Sequence, residues 1–434
     1  MATIFHPDRT IMPHPGKQIL LKLYEPEFVS LDNGISTYII NEGQQEFSRL
    51  DIVFSAGSSL QTKNLVAGST IQLLIDGTKK MSSAEIAQKL DYYGAIIDTT
   101  ISKDYAGLTL YALNKHLPKL LPLISDMIVN ASFLEDELTN YLNRKKHQFL
   151  LNSDKVRYKA MLEFNKMVFG PNSSYGSVVE LSDYDNLVRN DLLEFFNHHF
   201  TPQNTYIIIS GKINKETISL INKNFGENLK SKTSFPKSNI NVVNKVAELS
   251  KFVKKEGTLQ SAIRIGMPII SKQHPDYSSL IVLNTILGGY FGSRLMSNLR
   301  EDKGFTYGIS SYLINYIHAG FFSIATEVNA QHSKAALSEI ENEIKKLREE
   351  NVSNDELNLV KNYIYGTYLR SFDGPMALAE RYRSAKDLNL NFEYYTESLD
   401  EMMKQTPQQL KETANKYFDY NSMIKLVVGS MENN

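Results

Sequence analysis

Apolar positions along this chain switch repeatedly between a period of two and a period near 3.6, and that alternation predicts both strands and helices. Segments 35–41 and 50–55 read as paired strands joined by a polar turn at 42–46. Residues 65–75 read as a helix stopped by Gly77. Ser82-Ser-Ala-Glu85 forms a capping box ahead of Ile86, Leu90 and a terminating Gly94. Strands are expected at 95–102 and 106–113, then a helix with Leu117, Leu120, Leu121, Ile124 and Ile128 on one stripe. A long helix from about Asp136, a Pro171-Asn-Ser-Ser break, a helix over 187–199 and a strand over 206–210 complete the first half. Ahead of all this, residues 1–30 read as an irregular arm interrupted by Pro7, Pro13, Pro15 and Pro26.

The second half repeats the order. A strand at 261–266 leads to a helix at 276–287, then to Gly288–Tyr312, then to a strand at 321–328 and a helix striped by Leu337, Ile340, Ile344 and Leu347. Asp136-Glu137-Leu138 recurs as Asp355-Glu356-Leu357, and 200–211 recurs as 418–429. Two matches at nearly half the chain length predict an internal duplication. The expected organisation is a first domain over 1–227, a linker over 228–245 containing Pro236, and a second domain over 246–434. Plentiful hairpins without strict βαβ regularity favour α+β domains, each a mixed, mostly antiparallel sheet with helices packed on one face.

The stretch 288–312, GGYFGSRLMSNLREDKGFTYGISSY, concentrates the candidate chemistry. Glycines end an apolar helix. A short amphipathic helix follows, with Leu295, Met296 and Leu299 on one side, and stops in the charged turn 300–304. The strand beginning at Phe305 alternates through Tyr307, Ile309 and Ser311, which places a guanidinium at a helix end beside a phenol on the adjoining strand.

Composition narrows the classes. At 434 residues the chain exceeds one ordinary core, and 42% apolar with 22% charged residues is globular. A net charge of −1 spread along the chain argues against nucleic acid or an anionic membrane as partner. No apolar run reaches the roughly 18–20 residues of a membrane helix, and the first residues lack the pattern of a secretory leader. A cytoplasmic location is expected. Zero cysteines exclude disulfides and thiolate chemistry.

The duplication and the string LGGYFGSRLMSNLREDKGFTYGISS together resemble the M16 (pitrilysin/insulinase-like) metallopeptidases, in particular the small-subunit group related to mitochondrial processing peptidase. The resemblance spans essentially the whole chain. It implies two homologous α+β domains forming half of a clam-shell around a peptide-degrading chamber. The family's second-domain motif runs from a Gly-rich turn through Ser-Arg-Leu and Leu-Arg-Glu to Gly-x-x-Tyr. Carried onto this chain, its Arg and Tyr are Arg300 and Tyr307, implied to hold substrate backbone and the developing oxyanion. The chemistry suits both roles: a guanidinium is a fixed donor for peptide carbonyls, and a well-placed phenol stabilises an oxyanion. In isolation the same residues read more plainly, Arg300 as a helix-end cap or partner of Glu301 and Tyr307 as core filler. The embedding string favours substrate binding.

An active M16 chain carries His-x-x-Glu-His, two imidazoles sharing one helix face around zinc and a Glu that activates the bound water. Aligning the family's following Gly-Thr on Gly77-Thr78 places those positions at Gly68, Ile71 and Gln72, none of which has the required chemistry. The third ligand position falls near Gln148 or Phe149. Nine histidines supply no replacement, since no two lie three to five residues apart, and adjacent His198-His199 read as helix-end surface. No metal or cofactor is therefore expected on this chain.

The implied function is a non-catalytic, substrate-binding subunit of a heterodimeric M16 zinc endopeptidase. Its partner would be an M16 subunit bearing His-x-x-Glu-His and the zinc, and its substrates peptides. The alternatives are an inactive structural scaffold and a stand-alone peptide-binding homodimer of the same fold.

Overall fold

The computed structural model describes residues 8, 10, 23–230, 240 and 248–430. Most of the expected linker, 231–239 and 241–247, lies outside them. Two α+β domains are seen. The first is built on a six-stranded sheet of β1 (Glu27–Ser30), β2 (Ser36–Asn41), β3 (Phe47–Phe54), β4 (Ile96–Ile101), β5 (Ala106–Leu113) and β6 (Thr205–Gly211), in the order β1-β2-β6-β3-β5-β4. The second has β7 (Ser250–Lys254), β8 (Gln260–Ile269), β9 (Thr306–Asn315), β10 (Gly320–Asn329) and β11 (Ile424–Gly429), in the order β7-β11-β8-β10-β9.

Apart from β1, the two sheets have one topology. In each, the last strand runs parallel to the first of the shared set (β6 with β2, β11 with β7) and antiparallel to the second. The recurring segment at 200–211 and 418–429 is the inserted strand in both. That insertion corrects one expectation. Segments 35–41 and 50–55 are strands, but they do not pair with each other, because β6 lies between them. A polar turn between two apolar runs reports only local chain reversal, whereas β6 arrives from far along the chain.

The local signals for helices are realised. Ser82 accepts the Glu85 amide and Glu85 accepts the Ser82 amide at the head of Ser83–Tyr93, and Gly94 closes the helix with φ 60°. The stripe of Leu117–Val129 is buried throughout. Helices cover one face of each sheet and build its main core. On the opposite face each sheet also receives a helix from the other half of the chain. Val156–Phe169 lays Ala160, Phe164 and Val168 against Ala262, Phe321, Ile424 and Leu426 of the second sheet. Gly374–Lys386 lays Leu378, Ala379 and Tyr382 against Ile40 and Ile208 of the first. Full burial of a side chain such as Phe164 is worth about 2 kcal/mol, so this exchange ties the halves together.

Candidate functional site

The 288–312 stretch is held from three sides. Helix Tyr277–Asn284 winds into a π-helical turn, Thr285–Gly289, that crosses β9 closely. A Cβ at Gly288 would come within 2.7 Å of the Ser311 amide nitrogen, so only glycine fits that approach. Leu295, Met296 and Leu299 are buried as the pattern expects, and the segment Met296–Asp302 is itself a π-helical turn. Its polar residues anchor it to the helices behind. Arg294 forms a bidentate pair with Glu356, both N···O distances 2.8 Å. Asn298 donates to Glu339 (3.1 Å) and Glu343 (2.8 Å), and Lys303 reaches Glu339 at 3.3 Å.

Arg300 takes no part in this anchoring. Its guanidinium lies over the Phe291 ring, 4.6 Å from the centroid, and among the described residues it has no carboxylate partner, Glu301 included. Phe291 is itself exposed. A cation on an open aromatic face keeps its in-plane donors available.

Tyr307 departs from the expected alternation. Ile309 and Ser311 are buried at 3% and 4%, whereas Tyr307 is 94% exposed. A β-bulge explains it. Thr306 pairs with Val328 and Ile309 with Thr326, so Tyr307 and Gly308 together oppose the single residue Glu327. The extra residue changes the phase of the strand and sends the phenol outward. Hydroxyls lock the bulge: Thr306 Oγ1 donates to Glu327 O at 2.7 Å and accepts the Gly308 amide at 3.0 Å, while Thr326 Oγ1 lies 2.9 Å from Thr306 Oγ1.

Arg300 and Tyr307 line one concavity of about 1010 Å³, walled by Phe305 and His332 on the second domain and by Lys155 at the start of the exchanged helix. Tyr307 also lines an adjoining concavity of about 770 Å³ at β8, β10 and β9.

Among its described residues the first domain offers no comparable donor set. Gly68, Ile71 and Gln72 do share the helix Val66–Leu73 as aligned. Gly68 has no side chain to coordinate with, Ile71 is buried, and Gln72 Oε1 accepts from Thr99 Oγ1 of edge strand β4 at 2.9 Å. Of the third-ligand positions, Gln148 is exposed. Phe149 packs its ring against Tyr158 and Tyr184, centroids 6.0 and 5.5 Å away. The side chains at these positions do not fit zinc. Among the described residues no group of three or more His, Asp or Glu side chains is placed to hold a metal.

His198-His199 do end the helix Arg189–His199, but they are half-buried rather than surface residues. The His199 ring lies 4.5 Å from that of Phe195, and burial pushes its pKa down to about 4. Sequence reading missed the residues that fix the site. Arg294, Asn298 and Lys303 look like a solvated helix face, and only their spacing against acidic helices 333–349 and 354–370 could have signalled anchors. The bulge at Tyr307-Gly308 has a Thr-x-Gly trace in sequence and no stronger signal.

Two family descriptions match the chain: "Insulinase (Peptidase family M16)" over residues 37–163 and "Peptidase M16 inactive domain" over residues 186–364. The chain is similar to the uncharacterized zinc protease YmxG of Bacillus subtilis, 24% identical over 349 residues, covering 79% of this chain and 83% of the relative. It is similar to the mouse mitochondrial-processing peptidase subunit beta, 21% identical, covering 87% of this chain and 78% of that one. A crystal structure of a peptidase M16 inactive domain from Pseudomonas fluorescens superposes with a TM-score of 0.86 at 22% identity, over 95% of this chain and all of that chain. At that identity the superposition speaks for the fold. No helix among the described residues is long and apolar enough to cross a membrane.

Proposed function

We propose, from the premise that this chain belongs to the peptidase M16 family, that it is the non-catalytic, substrate-binding subunit of a heterodimeric zinc endopeptidase. One observation carries the reading. The chain has Arg300 and Tyr307 lining one concavity, and the positions that the sequence alignment sets against the family's zinc site, Gly68, Ile71 and Gln72, carry no zinc ligand. A scaffold has no use for an exposed phenol aimed by a bulge or for an arginine left without a carboxylate. The partner would be an M16 chain with His-x-x-Glu-His, and zinc would belong to it. That one relative of similar length is named as a subunit, and another as a zinc protease, is in keeping with this division. The complex would work in the cytoplasm.

In that complex this chain's own contribution is binding. Arg300 would donate to substrate carbonyls, holding an extended peptide across the chamber. Tyr307 would present its hydroxyl to the carbonyl oxygen as charge develops, a preorganised donor in a site that closure makes drier. The test is to purify the chain alone and with a His-x-x-Glu-His M16 partner, and to assay a quenched fluorogenic peptide. No cleavage by the chain alone and cleavage by the mixture is the expected result. Equal turnover by the partner without this chain refutes the reading.

A further inference from the structure

The face of the second sheet opposite its main core carries a second arginine with no carboxylate partner among the described residues. Arg264 sits on β8 between Ile263 and Ile265, whose side chains enter the main core, so its own side chain faces the opposite way, over the 770 Å³ concavity. It is half-buried. Among the described residues its side chain has one hydrogen-bond partner, the Tyr312 hydroxyl, which accepts from Nη1. A phenol is a neutral acceptor. A half-buried guanidinium so placed has given up water without gaining a counter-charge.

The space around it is cleared by small residues. Ala325 is the β10 residue paired with Arg264, and Ser310 is the β9 residue paired with Ala325. Gly308 continues this floor toward Tyr307, and a Cβ built on it meets nothing within 4 Å. The result is a trough across β8, β10 and β9 with Arg264 at one end and the Tyr307–Arg300 concavity at the other. Each acid lining the two concavities has another basic neighbour, in exposed contacts. Glu327 pairs with Arg157 at 3.7 Å, and Asp154 pairs with Lys255 at 3.5 Å. Arg264 and Arg300 are left without carboxylate partners among the described residues.

We infer that Arg264 is a specificity-determining residue: it takes a carboxylate of the peptide whose backbone is held by Arg300 and Tyr307. The inference rests on the substrate-binding reading above. Its ligand is a planar carboxylate, to which a guanidinium offers paired donors. Two sources share that chemistry, an Asp or Glu side chain and the free C-terminus.

The test is peptide binding by the full chain, followed by fluorescence anisotropy. The probes are fluorescein-labelled nonapeptides of Ala, Ser and Leu. One set carries a single Glu scanned through the positions, a second carries Gln instead, and each is made with a free and with an amidated C-terminus. Wild type should bind one Glu register, or the free acid, about tenfold tighter than its neutral twin, in the range of a charge-assisted hydrogen bond. Glu-to-Gln loss identifies the side chain as the source, and loss on amidation identifies the terminus. In Arg264→Gln the ratio should collapse to about one, and in Arg264→Lys most of it should remain, with thermal unfolding confirming that both fold. Binding without any charge preference in wild type overturns this inference alone. Preference that survives in Arg264→Gln overturns it as well. No binding of any peptide overturns it together with the substrate-binding reading.

Discussion

Arg294 and Glu356 face each other as a bidentate pair, each oxygen 2.8 Å from its nitrogen, and through that pair the short turn bearing Arg300 is fixed to the helix Asn354–Arg370. Both side chains are largely withdrawn from solvent, at 19% and 28% exposure. Glu356 belongs to the recurring Asp-Glu-Leu triplet. Its first-domain counterpart, Glu137, accepts from Ser83 at 2.6 Å, so the duplicated acid tethers a neighbouring element in both halves.

Removing one partner strands the other. Arg294→Met should cost roughly 2 kcal/mol in urea unfolding, and the double variant Arg294→Met/Glu356→Leu should recover part of that loss. Additive losses would mean that the pair is decorative.

If the proposed function holds, Tyr307→Phe assayed with a His-x-x-Glu-His M16 partner should lower kcat by roughly 10²-fold, because one preorganised donor to the oxyanion would be gone. On the same reading Arg300→Ala should act more on KM, since its donors would hold substrate in the ground state as well. Neither should change the unfolding midpoint, because neither side chain is buried. Steady-state kinetics on the assembled heterodimer decide this, and an unchanged kcat in Tyr307→Phe would remove the phenol from the chemistry.

The bulge offers a way to move Tyr307 without touching it. Thr306→Val deletes the hydroxyl that donates to Glu327 O and accepts the Gly308 amide. The expected outcome is a stability loss of about 1–2 kcal/mol and a fall in peptide affinity close to that of Tyr307→Ala. Full affinity in Thr306→Val would show that the bulge aims nothing.

Asp387 gives the stability a pH signature. Burial pushes its carboxyl up to about 6, against opposing contributions from the Tyr206 hydroxyl donated to it and from Arg383. A raised pKa means that the folded state favours the protonated form. The associated stability is fully present below about 3.8 and is lost as pH rises through about 6, up to about 3 kcal/mol in all. Asp387→Asn should therefore gain stability relative to wild type between pH 4 and pH 7. A difference that stays flat across that range would argue that the carboxyl titrates normally.

Metal analysis of the purified chain, after incubation with zinc and desalting, should find less than stoichiometric metal. Gly68, Ile71, Gln72 and Phe149 provide no imidazole or carboxylate to retain it. One tightly held zinc per chain would overturn the account of the first domain.

Much of this protein follows from its sequence alone. The capping box at Ser82, the apolar stripe of 117–128 and the recurring strand at 200–211 and 418–429 are local patterns, and local hydrogen bonding and helical periodicity are enough to realise them. The chemistry missing at Gly68, Ile71 and Gln72 is likewise fixed by residue type, whatever the fold. Other features required the chain to close on itself. Strand β6 parts β2 from β3, helices 156–169 and 374–386 cross to the opposite sheets, and two hydroxyls hold a bulge that turns Tyr307 outward. Each depends on contacts between residues far apart in sequence or on a one-residue shift of strand phase. Periodicity along a single segment carries no record of either.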